Sequence, residues 1–206
     1  MGIIKITEEE IVMDFEVESG KIVVSDPCYD VPSFSIEAKE GTWIADYEKD
    51  GVRIKELRAT YSGVLVHNLD WEDKATIGVD SGQAGIFDKN IFRNDDVVDE
   101  EPDFWSGYKE HSKSIGGEYW YASCVDIALS EESAGTLKGG AVSSSGYGDG
   151  GYEVDVAYKD GKAVGVRIIF IPDSECVECG HVSDIELDEC EVCYDYVEDK
   201  CWGCSE

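Results

Sequence analysis

Six of the eight cysteines fall in three C-x2-C pairs, Cys176/Cys179, Cys190/Cys193 and Cys201/Cys204. Zinc takes four soft donors in a tetrahedron, and a C-x2-C turn supplies two thiolates from one knuckle. The spacing Cys176-x2-Cys179-x10-Cys190-x2-Cys193 matches a short zinc ribbon, with Gly180 free to make the tight turn after the first knuckle. Cys201 and Cys204 are alternative or additional ligands, and His181 stands beside the first pair. A shell of four thiolates leaves no open position for water, so a zinc ion held this way is structural or adhesive rather than catalytic. A redox C-x2-C pair is the competing chemistry, but it needs a βαβ setting at a helix N-terminus that this tail lacks.

A second chemistry is suggested by three loops dense in small and polar residues. They are Ser25–Asp30, Val79–Gly85 and Ser143–Tyr152. Glycine lets backbone N–H groups approach a ligand, and Asp, Gln and Ser add directed hydrogen bonds or oxygen ligation for a hard cation. The candidate ligand-binding residues are Asp26, Asp80, Ser81, Gly82, Gln83, Ser145, Gly148, Asp149, Gly150 and Tyr152. The plainer alternative is that each loop is only a turn. Cys28 and Cys124 are candidate nucleophiles, although Cys124 is more simply a small buried residue. His67 reads as a structural residue within GVLVHNL, and His111 lies in a polar stretch.

These loops must be positioned by strands. TWIADYE and VRIKELRATY flank Lys49-Asp50-Gly51, and YEVDVAY and AVGVRIIFI flank Lys159-Asp160-Gly161-Lys162; both are hairpin signatures. Further strand candidates are Gly20–Asp26, GVLVHNL, ATIGVD and the aromatic run EYWYASCVDIAL. Helical signals are weaker: ITEEEIVMDF with Thr7 as cap, a single turn at Asp88–Phe92, and Asp103–Ser114. No tandem repeat is apparent. The expected fold is mainly β, an antiparallel sandwich or barrel-like domain over residues 1–171, followed by a Cys-rich zinc-ribbon module over 172–206.

Composition narrows the partners. The chain has 206 residues, with 46 Asp+Glu against 17 Lys+Arg and a formal charge of -29. So few cations cannot build a surface for nucleic-acid backbone, and an anionic membrane is equally disfavoured. With 42% hydrophobic residues the chain nevertheless has the means to bury a core. No stretch resembles a signal peptide or a membrane span, so a cytoplasmic location is expected. A reducing compartment favours metal ligation by the cysteines over disulfides.

SGKIVVSDP, GTWIADYE, GVDSGQAGIFD, VSSSGYGDGGYEV and KDGKAVGVRIIFI occur in that order between Ser19 and Ile171. In this the chain resembles the family called domain of unknown function 4241, found in bacteria and in phage-encoded proteins. The resemblance implies a compact β-rich domain in which Asp26, Asp80, Gly82, Gln83, Gly148, Asp149, Gly150 and Tyr152 match the motifs. It is consistent with a phage origin and a host-cytoplasm location, and it brings no established activity. The cysteine tail lies outside it and resembles zinc-ribbon tails in general.

The sequence lacks GxSxG, HExxH, GxxxxGK[ST] and a strand-linked GxGxxG, so no recognised catalytic motif is present. Three functions remain in competition. One is a zinc-binding accessory or adaptor protein that holds a small polar ligand or a protein partner. Another is a divalent-metal hydrolase built on Asp26, Asp80 and Asp149. The third is an acidic inhibitor or nucleic-acid mimic that draws in a basic host protein.

Overall fold

The computed structural model describes residues 13–98, Pro102 and residues 116–175, together with three short strands in the tail. The first part of the chain supplies β1 (Met13–Val17), β2 (Lys21–Ser25), β3 (Phe34–Glu37), β4 (Gly41–Asp50), β5 (Arg53–Tyr61), β6 (Trp71–Val79) and β7 (Gln83–Asp88). After these come the helix α1 (Glu118–Ala128), β8 (Ala134–Leu137), β9 (Gly140–Ser144), β10 (Gly150–Lys159) and β11 (Lys162–Ile169). They form two antiparallel sheets with strand orders β1-β4-β5-β11-β10-β6 and β3-β2-β7-β9-β8. The mainly β expectation therefore holds for the described residues. No helix among them is long and apolar enough to cross a membrane.

The core lies between the sheets. Ile22, Val24, Ala84, Ile86 and Ala141 of the smaller sheet meet Phe15, Trp43, Leu57, Ile77, Val154, Val166 and Ile168 of the larger one. Alternate residues of the smaller sheet point the other way: Val23, Phe87 and Val142 pack with Trp120 and Cys124 of α1. A sheet covered on both faces needs apolar residues at successive positions, which explains the uninterrupted runs in β2 and β7. The rings of Phe87, Phe92 and Trp120 meet at centroid distances of 4.9–5.9 Å.

The hairpins at Lys49–Gly51 and Lys159–Lys162 form as expected. In the second, Asp160 and Gly161 both have positive φ, 54° and 78°, as a tight hairpin turn matching the strand twist requires. Asp88–Phe92 makes the expected turn, with the Ile91 and Phe92 N–H groups donating to the Asp88 carbonyl.

Two expected strands are corrected. EYWYASCVDIAL is the helix α1, not a strand. Of its buried residues, Trp120, Cys124 and Ala128 recur every four positions and Val125 lies beside them, which is a helical stripe, and Ala122 is buried as well. The Asp95 carboxylate also accepts hydrogen bonds from Gly117 N–H (2.8 Å) and Trp120 N–H (2.9 Å), satisfying helix donors from outside the helix. The β-propensity of Trp, Tyr and Val yields here to capping and to burial on one face.

GVLVHNL is likewise no strand. It crosses from β5 to β6, between which β11 and β10 intervene, and contains one 3-10 turn at Val66–Asn68. A Cβ added to Gly165 would lie 2.8 Å from the Trp71 ring and 3.0 Å from Leu69, so this segment covers the sheet where a side chain is missing. His67, read as a structural residue, sits exposed on the 3-10 turn. A cavity of about 400 Å³ opens beside the segment, lined by Val64, Leu65, Leu69, Tyr158 and Val164 among others.

On the outer face of the larger sheet, Asp46, Arg58, Arg167 and Asp155 stand opposite one another across four strands. Two adjacent arginines would repel, but Glu56 bridges them at 3.1 and 3.3 Å, and Asp46 and Asp155 close the ends of the row.

The last core residue is Ile171. In the tail, β12 (Ser174–Glu175) pairs with β13 (Val182–Ser183), and β14 (Tyr194–Asp195) pairs with β15 (Lys200–Cys201), both antiparallel. The expected helices at Thr7 and Asp103–Ser114 lie outside the described residues.

Candidate functional site

The three polar loops come together around two corners of related construction. At one corner, β1 passes to β2 through Glu18-Ser19-Gly20; at the other, β6 passes to β7 through Asp80-Ser81-Gly82. Both crossings leave the larger sheet and enter the smaller one. Each needs a left-handed residue, supplied by Gly20 (φ 68°) and Gly82 (φ 67°). Six residues after each glycine comes a buried aspartate, Asp26 or Asp88.

Each aspartate grips the turn that feeds the other strand. Asp26 Oδ2 accepts hydrogen bonds from Asp80 N–H and Ser81 N–H, both 2.8 Å, and Oδ1 from Cys28 N–H (2.8 Å) and the Ser81 hydroxyl (2.6 Å). Asp88 Oδ2 accepts from Glu18 N–H (2.6 Å) and Ser19 N–H (2.7 Å), and Oδ1 from Asn90 N–H (2.7 Å). Because β2 and β7 are antiparallel neighbours, with Ile22 opposite Asp88 and Ser25 opposite Gly85, the grips are related by a local two-fold. The sequence signature is Ser-Gly-x5-Asp, at Ser19–Asp26 and again at Ser81–Asp88. The recurrence is visible in the sequence once the aspartates are known to act alike, but two matching serines, glycines and aspartates do not announce themselves as a tandem repeat.

The third loop joins at the Asp26 corner. Gly82 N–H donates to Asp149 Oδ1 (3.0 Å), and Ser145 N–H donates to the Gly82 carbonyl (3.0 Å). The Ser145 hydroxyl donates to the Gly148 carbonyl (2.7 Å), and the Tyr152 hydroxyl lies 3.0 and 2.7 Å from the carbonyls of Ser145 and Gly148. Gly150 opens β10. The sequence-derived candidates of the β domain thus lie along one rim.

Their carboxylates are nevertheless taken by protein donors. Asp26 is fully enclosed, Asp80 Oδ2 accepts the Tyr29 hydroxyl (2.8 Å), and Asp149 holds Gly82. Among the described residues, no group of three or more His, Cys, Asp or Glu is arranged to hold a metal ion. Gln83 is buried, and its Oε1 has no hydrogen-bond partner.

Sequence reasoning missed Tyr29, Tyr121 and Arg93. Tyr121 enters from α1 beside Ser81 and Gln83, and burial raises its pKa. With α1 read as a strand, nothing in the sequence pointed to that placement. Arg93 reaches the Pro27 carbonyl (3.4 Å), Asp30 (3.3 Å), the Gly116 carbonyl (3.2 Å) and Glu118 (3.1 Å), tying the loop after β2 to the start of α1.

Electrostatics here work against a nucleophile. Burial, then hydrogen bonding to Asp26 and its negative charge, push the Cys28 thiol up to about 12. The hydrogen bond to Asp80 is the chief cause that raises Tyr29 to about 12. Cys124 is fully buried and raised well above its ordinary value, so it is the inert core residue expected. A protonated thiol is a poor nucleophile. The rim therefore presents fixed donors and acceptors, with Asp80, Asp149 and Tyr147 exposed along it.

Of the zinc candidates, Cys176, Cys179, Cys190, Cys193 and Cys204 lie outside the described residues, as do His111 and His181, while Cys201 ends β15. Comparison with protein-family models, with curated proteins and with solved structures found no match.

Proposed function

We propose that the chain is a zinc-binding accessory or adaptor protein, whose β domain offers a rigid polar rim to a small ligand or a protein partner. The observation that carries this is the Asp26 grip. A carboxylate held by four protein donors is committed to fixing the loops, and it leaves the rim pre-organised, a condition that lowers the entropic cost of binding. A divalent-metal hydrolase would require those same oxygens to be free for the ion.

The tail takes the zinc through Cys176, Cys179, Cys190 and Cys193, with Cys201 and Cys204 as alternative or additional ligands. The donor set fits: three C-x2-C pairs of soft ligands, the first lying in the chain between the paired strands β12 and β13. Zinc would supply a cross-link to a tail too short to gain much stability from apolar burial alone. Outside the tail, the resemblance to the domain of unknown function 4241 family supports a β-rich domain and is consistent with a phage-encoded protein.

Two measurements test the proposal. Elemental analysis of the purified chain should find zinc that is lost on Cys176→Ser with Cys190→Ser; a metal-free, folded chain would refute the zinc role. Molecules that co-purify with the wild-type chain should be lost from a Tyr147→Ser, Asp80→Asn variant that still unfolds cooperatively in urea. Equal recovery from both would place binding away from the rim.

A further inference from the structure

We infer that the acidic Cys-rich tail, residues 176–206, docks back on the patch formed by Val52, Arg53 and Tyr147 at the tip of the β4–β5 hairpin, beside the rim. Val52 is 86% exposed and Tyr147 is 64% exposed, and they stand on neighbouring turns. The Arg53 guanidinium lies 4.9 Å from the centroid of the Tyr147 ring, joining the two turns into one surface. Among the described residues, Arg53 has that ring as its contact and no carboxylate partner, in a chain with a formal charge of -29.

The chain leaves the β domain next to this patch. Phe170 and Ile171 N–H groups both donate to the Lys55 carbonyl, at 2.8 and 3.1 Å, and Asp173 pairs with the Lys55 ammonium at 2.5 Å. A Cβ built on Gly146 would lie 3.0 Å from Phe170 Cβ and 3.2 Å from Ile171, so the loop bearing Tyr147 packs on the same exit segment. Phe170 and Ile171, the last residues of the β domain, are therefore bound two residues along β5 from Arg53. From Ser174 onward it carries eleven Asp and Glu against one Lys, and also Tyr194, Tyr196 and Trp202. Its charge complements Arg53, its aromatic residues suit Val52 and Tyr147, and its point of attachment gives it a high effective concentration at the patch.

This goes beyond the proposed function and shares with it the metal-loaded state of the tail and the residue Tyr147, so Arg53→Glu, which lies outside the rim, is the variant that separates docking from ligand binding there. The test uses the full chain with zinc supplied, as wild type, Arg53→Glu and Tyr147→Ser. It follows amide exchange and cleavage of the tail by a Glu-specific protease. In the wild type, amides of residues 51–53 and 146–148 should be protected. Arg53→Glu should speed tail cleavage about fivefold at low salt, with the difference shrinking at high salt, where the Debye length falls to a few ångströms. Exchange in β2 and β7 should be unchanged, showing that the variant is folded. Equal cleavage in all three chains would overturn the inference, as would protection that rises with protein concentration, which would assign the patch to a second copy. Absence of zinc from every chain would defeat the zinc role, while the variant difference would still report on docking.

Discussion

The Asp26 and Asp88 corners share a backbone plan and differ in what surrounds it. Both place a left-handed glycine at the sheet crossing and a buried aspartate under the partner's turn. At Asp88, the Ser19 hydroxyl turns away to donate to the Lys21 carbonyl, and the grip consists of backbone N–H groups. At Asp26, the Ser81 hydroxyl turns inward to the carboxylate, the Cys28 thiol and Tyr121 gather around it, and the third loop docks through Asp149. The same device thus builds a plain fold corner once and a furnished rim once. The difference separates what the aspartate does for the fold from what the loops add.

Removing the aspartates should have the largest effect. Asp26→Ala would leave several buried N–H groups without acceptors and should destabilise the chain by about 4 kcal/mol, against about 3 kcal/mol for Asp88→Ala. Urea unfolding of both variants measures this. A loss confined to Asp88 would break the equivalence of the corners.

Asp26 also shows how far the sequence was legible. Its loop of small and polar residues, beside Pro27, marked it as a candidate ligand residue, and the loops around it did converge. Its actual partners, however, are N–H groups of Asp80 and Ser81, more than fifty positions away, and no local pattern displays them. The hairpins were legible because a positive-φ pair such as Asp160-Gly161 encodes its own turn. The helix α1 was not, since a short apolar and aromatic run gives no clear period until its capping aspartate, Asp95, is brought in from a distant part of the chain.

The glycines give a smaller and matched effect. Gly20→Ala and Gly82→Ala each force a side chain into the left-handed region at a cost of about 1–2 kcal/mol. A Cβ on Gly82 meets nothing within 4 Å and one on Gly20 meets only the flexible end of Glu40, so the two losses in unfolding free energy should agree closely. A large gap between them would show that the corners carry different strain.

The smallest effect is confined to the Asp26 corner and depends on pH. Cys28 and Tyr29 both have folded pKa values raised to about 12, above their ordinary values of 9.0 and 10.0. A raised pKa means that the folded state holds the proton longer. The associated stability is therefore complete below about pH 9 and is lost as pH climbs towards 12. Tyr29→Phe should lower the urea midpoint slightly at pH 8 and flatten part of the alkaline decline. An unchanged alkaline slope would place Tyr29 outside the rim's hydrogen bonding.

The claim that Asp26 is a grip on the rim rather than a metal ligand is tested most directly by Asp26→Asn, with unfolding free energy and divalent-metal content measured on the same samples. The asparagine keeps one acceptor but brings an amide against N–H donors, so the prediction is a loss of about 2–4 kcal/mol with metal per chain unchanged. Undiminished stability together with loss of a bound divalent ion would contradict it.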